Sequence, residues 1–260
     1  MGTTKAFLVA SPSINMAGVF SYLEEVGGTE WTGQFKGNEG EALVEFMGRL
    51  CYRSWKPGMN PNVTKVRTDS EQYLWNILES MHGSVLAHAN YSFVFHNVSR
   101  VFTHELVRHS AGTAISQESL RFVRLNQIPF EHPEFILNDN ELLSEANDLV
   151  FRMEEMQRKI AERTNVNNKT FHEKKQITSG ARRYAPEGIG TSIGWTANIR
   201  ALRWIIESRT SIHAEIELRE VFGMVAKIMV KEAPWLFADF EFIKDESGDL
   251  GEWKPKFSKV

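Results

Sequence analysis

Helical periodicity dominates this chain, and the strand-like stretches that interrupt it follow no strict β-α-β alternation. Apolar residues recur at helical spacing over about 39–54, 68–83, 141–164, 171–184, 196–206 and 213–231; the second of these carries Tyr73, Leu74, Ile77, Leu78 and Met81 on one face. Strand-like alternation is clearest at Tyr91–Val98, and shorter strand candidates lie at 5–10 and 189–195. Helices with a few strands in that order predict an α+β fold. The expectation is a single domain over residues 1–260, with several long helices packed on a small, mostly antiparallel sheet. Local stop and start signals agree with it. Thr68-Asp69-Ser70-Glu71 opens one helix with capping residues, Ser99 caps the helix that leads to Arg108, and Pro186 and Pro234 end two others. Residues 11–38 read as a Ser/Pro turn and a glycine-rich loop, 123–140 as loop with a short strand, and the tail from about 244 as loosely ordered.

Composition narrows the function classes. The chain has 260 residues, 42% hydrophobic and 24% charged, which is ordinary for a globular protein. A net charge of −3 argues against a nucleic-acid binder, so any anion binding has to be local. No apolar run approaches the ~18 residues of a membrane span, and the run at Ala6–Ala10 is too short for a signal peptide; a cytoplasmic setting with no membrane partner is expected. The single cysteine, Cys51, excludes an intrachain disulfide and a multi-cysteine zinc site. No His/Cys/carboxylate group has metal-ligand spacing, so no metal is expected. Cys51 lies in an amphipathic helix with nothing beside it that would lower its pKa, so it reads as a packed or cofactor-adjacent thiol rather than a nucleophile. His96, His104 and His213 read as hydrogen-bonded packing residues.

The stretch richest in chemistry is Arg108–Phe122, RHSAGTAISQESLRF. It puts two permanent cations, an imidazole, several hydroxyls and an amide in one short span after an apolar-periodic segment. Arginines give bidentate contacts to phosphate, and hydroxyls add donors, so the span suits a ligand with phosphates and a polar ring. A helix end followed by a solvated polar turn is the plainer alternative.

Arg108-His109 followed by Gln117-Glu118-Ser119-Leu120-Arg121-Phe122 resembles the signature of flavin-dependent thymidylate synthases, Arg-His-Arg, seven residues, then Ser. Three further segments extend the resemblance: His82-Gly83-Ser84-Val85-Leu86-Ala87-His88; Ala181-Arg182-Arg183-Tyr184-Ala185-Pro186; and Asn198-Ile199-Arg200 with Glu207–Arg219. Pro234-Trp235-Leu236-Phe237 fits a family ending. Two departures stand out. Ser110 replaces the third signature residue, and Arg108 to Ser119 is one residue longer than in the shortest members.

The resemblance implies reductive methylation of dUMP to dTMP. Methylenetetrahydrofolate would give the carbon, FAD the hydride, and NADPH the electrons that reload the flavin; the absence of a GxGxxG motif fits transient NADPH binding at the flavin. It also implies a homotetramer with shared sites. Arg108, His109, Ser110, Asn198 and Arg200 would hold the flavin, with His82 and Ser84 beside it and the folate pocket. Cys51 stands where the family often has a flavin-phosphate-binding Ser. Ser119, Arg121 and Arg182 would grip the nucleotide phosphate, with Leu120 alongside. Gln117, Glu105 and Arg209 would face the pyrimidine, Gln117 also near the flavin. Arg209 and Ser119 are the candidate catalytic residues: Arg209 would stabilise charge developing on the ring, so no side-chain nucleophile is required. Ser110 and Glu105 also leave open a related methylase or hydroxymethylase of another pyrimidine nucleotide. A non-catalytic nucleotide- or flavin-binding relative is the third reading.

Overall fold

Two strands of this protein each run without a break into a helix, and the residue at each junction is a cap. The structure, a computed structural model, describes residues 4–33, 35–120, 127–245 and 250–260. Its elements are β1 (Lys5–Ala10), α1 (Met16–Val26), α2 (Glu39–Tyr52), α3 (Ser70–Glu79), β2 (Asn90–Ser99), α4 (Arg100–Leu106), β3 (Thr113–Gln117), α5 (Glu134–Leu137), α6 (Asn140–Arg163), α7 (Phe171–Ala181), β4 (Gly190–Asn198), α8 (Ile199–Arg209), α9 (Ile216–Glu232), β5 (Phe240–Lys244) and β6 (Gly251–Pro255). Four strands form one sheet in the order β1-β2-β4-β3, and β5 and β6 form a second. Long helices on a small sheet make the fold α+β.

β2 and β4 form because every second side chain is apolar or small and finds a buried face: Tyr91, Phe93 and Phe95 on β2, and Ile193, Trp195 and Ala197 on β4. At the end of β2, Ser99 accepts a hydrogen bond from the Phe102 N–H at 3.0 Å and starts α4. At the end of β4, Asn198 accepts from the Ala201 N–H at 2.9 Å and starts α8. Asp69 caps α3 in the same way, as its sequence predicts.

Three of the stretches that differ from the sequence expectation bear on the architecture. Residues 16–26, read as loop, form α1: Asn15 caps it through the Gly18 N–H, and Gly27 at φ 72° ends it. Glu134–Leu137, within the expected loop, is a short helix, whereas residues 121–126 of that region lie outside the described residues. The tail expected to be loose pairs instead, Gly251–Pro255 antiparallel to Phe240–Lys244 with Phe242 opposite Trp253. Apolar rings inside this charged segment supply what its composition hides.

The chain groups into two compact units. One holds Met1–Lys5, Val94–Arg108 and Ile115–Gly194; the other holds Ala6–Phe93, His109–Ala114 and Trp195–Val260. The second unit has a dense aromatic core in which Val19, Leu23, Trp31, Phe46 and Trp55 pack together, and α8 and α9 each bury a full apolar face. In the first unit Leu120, Ile128 and Ile189 are buried, with Val150 and Met153 of α6 against them, yet neither α6 nor α7 has a fully buried residue. No helix among the described residues is long and apolar enough to cross a membrane.

Candidate active site

The residues expected around a flavin fall almost entirely in the second unit. His109 and Arg209 lie 100 positions apart in sequence, and Arg209 Nε donates to His109 Nε2 at 2.6 Å. An arginine Nε can only donate, so that imidazole nitrogen carries its lone pair and the ring proton sits on Nδ1. Arg209 is the last residue of α8, whose first-turn cap is Asn198. The other end of the helix also meets the signature: the Asn198 N–H donates to Gly112 O at 3.1 Å. Gly112 has φ 71°, and a Cβ there would overlap the Asn198 amide, so only glycine allows this approach. Thr113 Oγ1 donates to His109 O at 2.6 Å and closes the turn. Residues 109–113 are thus clasped between the two ends of α8.

The second half of that unit's cluster gathers at the turn Gly83–His88. His82 meets the edge of Tyr52, with ring centroids 5.6 Å apart, and its Nδ1 is buried without a hydrogen-bond partner. Gly83 leaves room for Arg200, whose Nε lies 3.1 Å from where a glycine Cβ would stand. Met81 and Ser84, next to His82 and Gly83 in sequence, are exposed, as is Tyr52. Asn198 and Arg200 are two apart, the first capping α8 and the second in its first turn. Cys51 is exposed, which corrects the packed-thiol half of the sequence expectation: it lies on the outward face of α2.

Of the residues expected around the nucleotide, Glu105, Gln117, Ser119, Leu120 and Arg182 fall in the first unit, whereas Arg209 belongs to the second. Gln117 Nε2 donates to Thr103 Oγ1 at 3.0 Å, and that hydroxyl donates on to Arg100 O, so α4 fixes the amide. Glu105 sits 3.4 Å from Arg108, which is otherwise open to solvent. Ser110 is exposed in the other unit's share of the signature, and Ser119 is half-buried. Leu120 is buried, and with Arg182 it lines a cavity of about 390 Å³ between α6 and α7. Arg121 lies outside the described residues.

The sequence reading missed Arg100. Its Nη2 donates to Glu118 O at 3.3 Å, while its Nε is buried without a partner. Burial lowers its pKa; the neighbouring Arg182 charge adds to this, and Glu118 opposes it. Two guanidiniums close enough to repel each other have the charge to attract an anion. A signal was available: a cation in the first turn of a helix opposes the helix dipole and calls for some compensating role.

The family pattern described as "Thymidylate synthase complementing protein" matches residues 35–235. A flavin-dependent thymidylate synthase of Corynebacterium aurimucosum is 36% identical over 219 residues, 82% of this chain and 85% of that protein. One of Mycobacterium bovis is 37% identical over 220 residues, 81% of this chain and 83% of its own. Two solved structures share the fold. Thymidylate synthase X of Helicobacter pylori, with FAD and dUMP, aligns at a TM-score of 0.55 and 20% identity over 76% of this chain and 93% of its own. The UMP/dUMP methylase PolB of Streptomyces cacaoi, with 5-Br dUMP, aligns at 0.60 and 14% identity over 91% and 93%. A pattern that covers most of the chain, and relatives above 30% identity over four fifths of it, make this protein an enzyme of the flavin-dependent thymidylate synthase family.

Proposed function

We propose that the protein converts dUMP to dTMP, replacing the C5 hydrogen of the pyrimidine with a methyl group. Methylenetetrahydrofolate is the carbon donor and NADPH the source of reducing equivalents. Bound FAD would supply the hydride that completes the methyl group. The residues fit that cofactor: exposed apolar side chains at Tyr52 and Met81 lie by a turn carrying the unpartnered His82 Nδ1, and Arg200, Asn198 and Ser84 would add polar contacts for phosphates and ring edges. Cys51 and Ser110 would add weak polar groups.

The observation that carries the reading is the Arg209–His109 hydrogen bond. It holds the planar, permanently charged guanidinium in one orientation against the signature. A fixed cation there stabilises negative charge on a pyrimidine ring without itself gaining or losing a proton, which makes C5 nucleophilic with no covalent help. Gln117 and Glu105 would read the ring edge. Ser119 would donate to the phosphate, with Arg121 and the Arg182–Arg100 pair balancing its charge and Leu120 closing the apolar side. Arg108 would lie against the flavin.

The expected outcome is tritium release from C5-labelled dUMP by the yellow, FAD-loaded protein supplied with methylenetetrahydrofolate and NADPH. No release would reject the reading. Arg209→Ala is expected to lower turnover by about 10²–10³-fold while FAD uptake, read from visible absorption, persists. A second reading, methylation of another pyrimidine nucleotide, draws on Glu105: a carboxylate held by Arg108 could accept a hydrogen bond from an exocyclic amino group. Release from the labelled cytidine analogue in preference to dUMP would favour it.

The site residues would be shared in a homotetramer. The apolar face of α6 supports this, with Leu142, Leu149 and Met156 exposed at seven-residue spacing, and Phe135 and Phe171 also exposed in the same unit. Leu149→Glu is expected to reduce the assembly mass in sedimentation while leaving helix content unchanged.

A further inference from the structure

We propose that residues 256–260 are a strap that positions the His82-Gly83-Ser84 turn against α8 and thereby sets how tightly flavin is held; the proposal rests on the flavin reading above. The strap is anchored by a clasp inside the second unit. Arg203 and Asp239 form a bidentate pair, with Nη1 to Oδ1 at 2.7 Å and Nη2 to Oδ2 at 2.8 Å, and their side chains are 3% and 0% exposed. Both partners also hold the strap. Asp239 O accepts from the Lys256 N–H at 2.9 Å, Asp239 Oδ2 accepts from the Phe257 N–H at 3.0 Å, and Arg203 Nη2 donates to Phe257 O at 3.2 Å.

The grip continues to the turn. Ser258 Oγ lies 2.8 and 3.0 Å from the two oxygens of Glu207. The Phe257 ring meets the edge of Trp75, and Lys256 Nζ lies 5.6 Å from the centre of the Trp75 ring. Lys259 takes φ 67°, a left-handed conformation that a lysine keeps only where its surroundings fix it. Val260 is buried, and its main chain closes on Gly83 so tightly that a Cβ at residue 83 would overlap its carbonyl carbon. The same missing Cβ would stand 3.1 Å from Arg200 Nε. Glu207 and Arg203 are one turn apart on α8, and Arg200 lies a further turn towards its start, so one helix face carries the strap to the turn.

The consequence falls on groups assigned to the flavin. Gly83 separates His82, whose Nδ1 is buried and unpartnered, from Ser84, and Arg200 flanks it. A turn packed on one side by Val260 and on the other by α8 has a single seating, so the ordering cost of binding is met before flavin arrives. The family match ends at residue 235, so the shared pattern does not contain this strap.

The test titrates FAD-free protein with FAD, following flavin fluorescence, and measures dUMP affinity and thermal unfolding on the same samples. Four forms are compared with the unmodified chain: deletion of residues 257–260, Gly83→Ala, Ser258→Ala and Ser258→Thr. Deletion and Gly83→Ala are expected to weaken FAD binding about tenfold or more, and Ser258→Ala about fivefold, the scale of one hydrogen bond. Ser258→Thr, which keeps the hydroxyl, is expected to restore the affinity. The dUMP affinity is expected to hold in the point variants, and the unfolding temperature in the two Ser258 variants. Equal FAD affinity in all forms overturns the proposal. So does a parallel loss of FAD affinity, dUMP affinity and unfolding temperature, which would mark general destabilisation. An unmodified chain that takes up no FAD rejects the flavin reading itself, a result distinct from equal binding by every form.

Discussion

The two units solve the problem of burying a helix differently. α8 and α9 in the second unit bury Leu202, Ile205, Ile206, Leu218, Val221, Phe222 and Val225 completely or nearly so. α6, the longest helix of the chain with 24 residues, buries none fully, although Met153 and Val150 pack against a small core. Charge follows the same division. In the second unit, cations such as Arg49 and Arg203 are enclosed and answered by Glu45 and Asp239. In the first, Arg108 and Arg158 lean on carboxylates in open solvent. The first unit therefore leaves these cations and the apolar residues of α6 exposed, whereas the second encloses its Arg49 and Arg203 pairs. Under the proposed function, the second unit supplies most of the cofactor residues and the first most of the nucleotide residues, Arg209 excepted.

Three measurements test the contrast, from the largest effect down. Arg203→Ala leaves Asp239 buried without its partner and is expected to cost about 3–5 kcal/mol in denaturant unfolding, whereas Arg158→Ala on α6 is expected to cost less than about 1 kcal/mol. Similar losses for both would erase the distinction. Arg182→Ala, or Arg100→Ala, is expected to raise the nucleotide KM by about 10–100-fold with FAD affinity unchanged, the scale of lost charge-assisted hydrogen bonds to phosphate. A loss of FAD along with nucleotide would show that the division of labour is wrong. The smallest effect concerns Glu41, a buried carboxylate of α2. Burial raises its pKa above 4.5, despite backbone hydrogen bonds from Trp235 and Asn38 that act the other way. The folded state therefore holds that proton more tightly than the unfolded chain. The stabilisation is fully present below pH 4.5 and is lost as pH rises through the elevated value. Glu41→Gln is expected to flatten the unfolding free energy against pH in that window, measured by urea titration at several pH values.

Much of the frame was legible because it is local. Asp69 and Ser99 announced their helices through side chains that can reach back only to their own N–H groups. The start of α8 was placed two residues early, at Thr196. That hydroxyl is engaged across the sheet, 2.8 Å from Ser92 Oγ, and leaves the cap to Asn198. The start of α9 was placed at His213, but its cap is Glu215, a residue type with little capping preference. Helix α1 was missed because glycines and a short apolar stripe hid its period, although Asn15 and Gly27 marked both ends. For the candidate site, the motifs named its residues, but no spacing rule could join His109 to Arg209 or bring residue 260 to residue 83. Those pairings belong to tertiary packing, which sequence periodicity does not encode.

The cap at Asn198 also works as a timing mark. An α-helix rotates about 100° for each residue added, so the residue at which α8 begins decides the compass bearing of every side chain that follows. Arg209 points at His109 because the count starts at Asn198 and nowhere else. Moving the start by one position, with every apolar contact otherwise satisfied, would swing that guanidinium about a quarter-turn away from the imidazole.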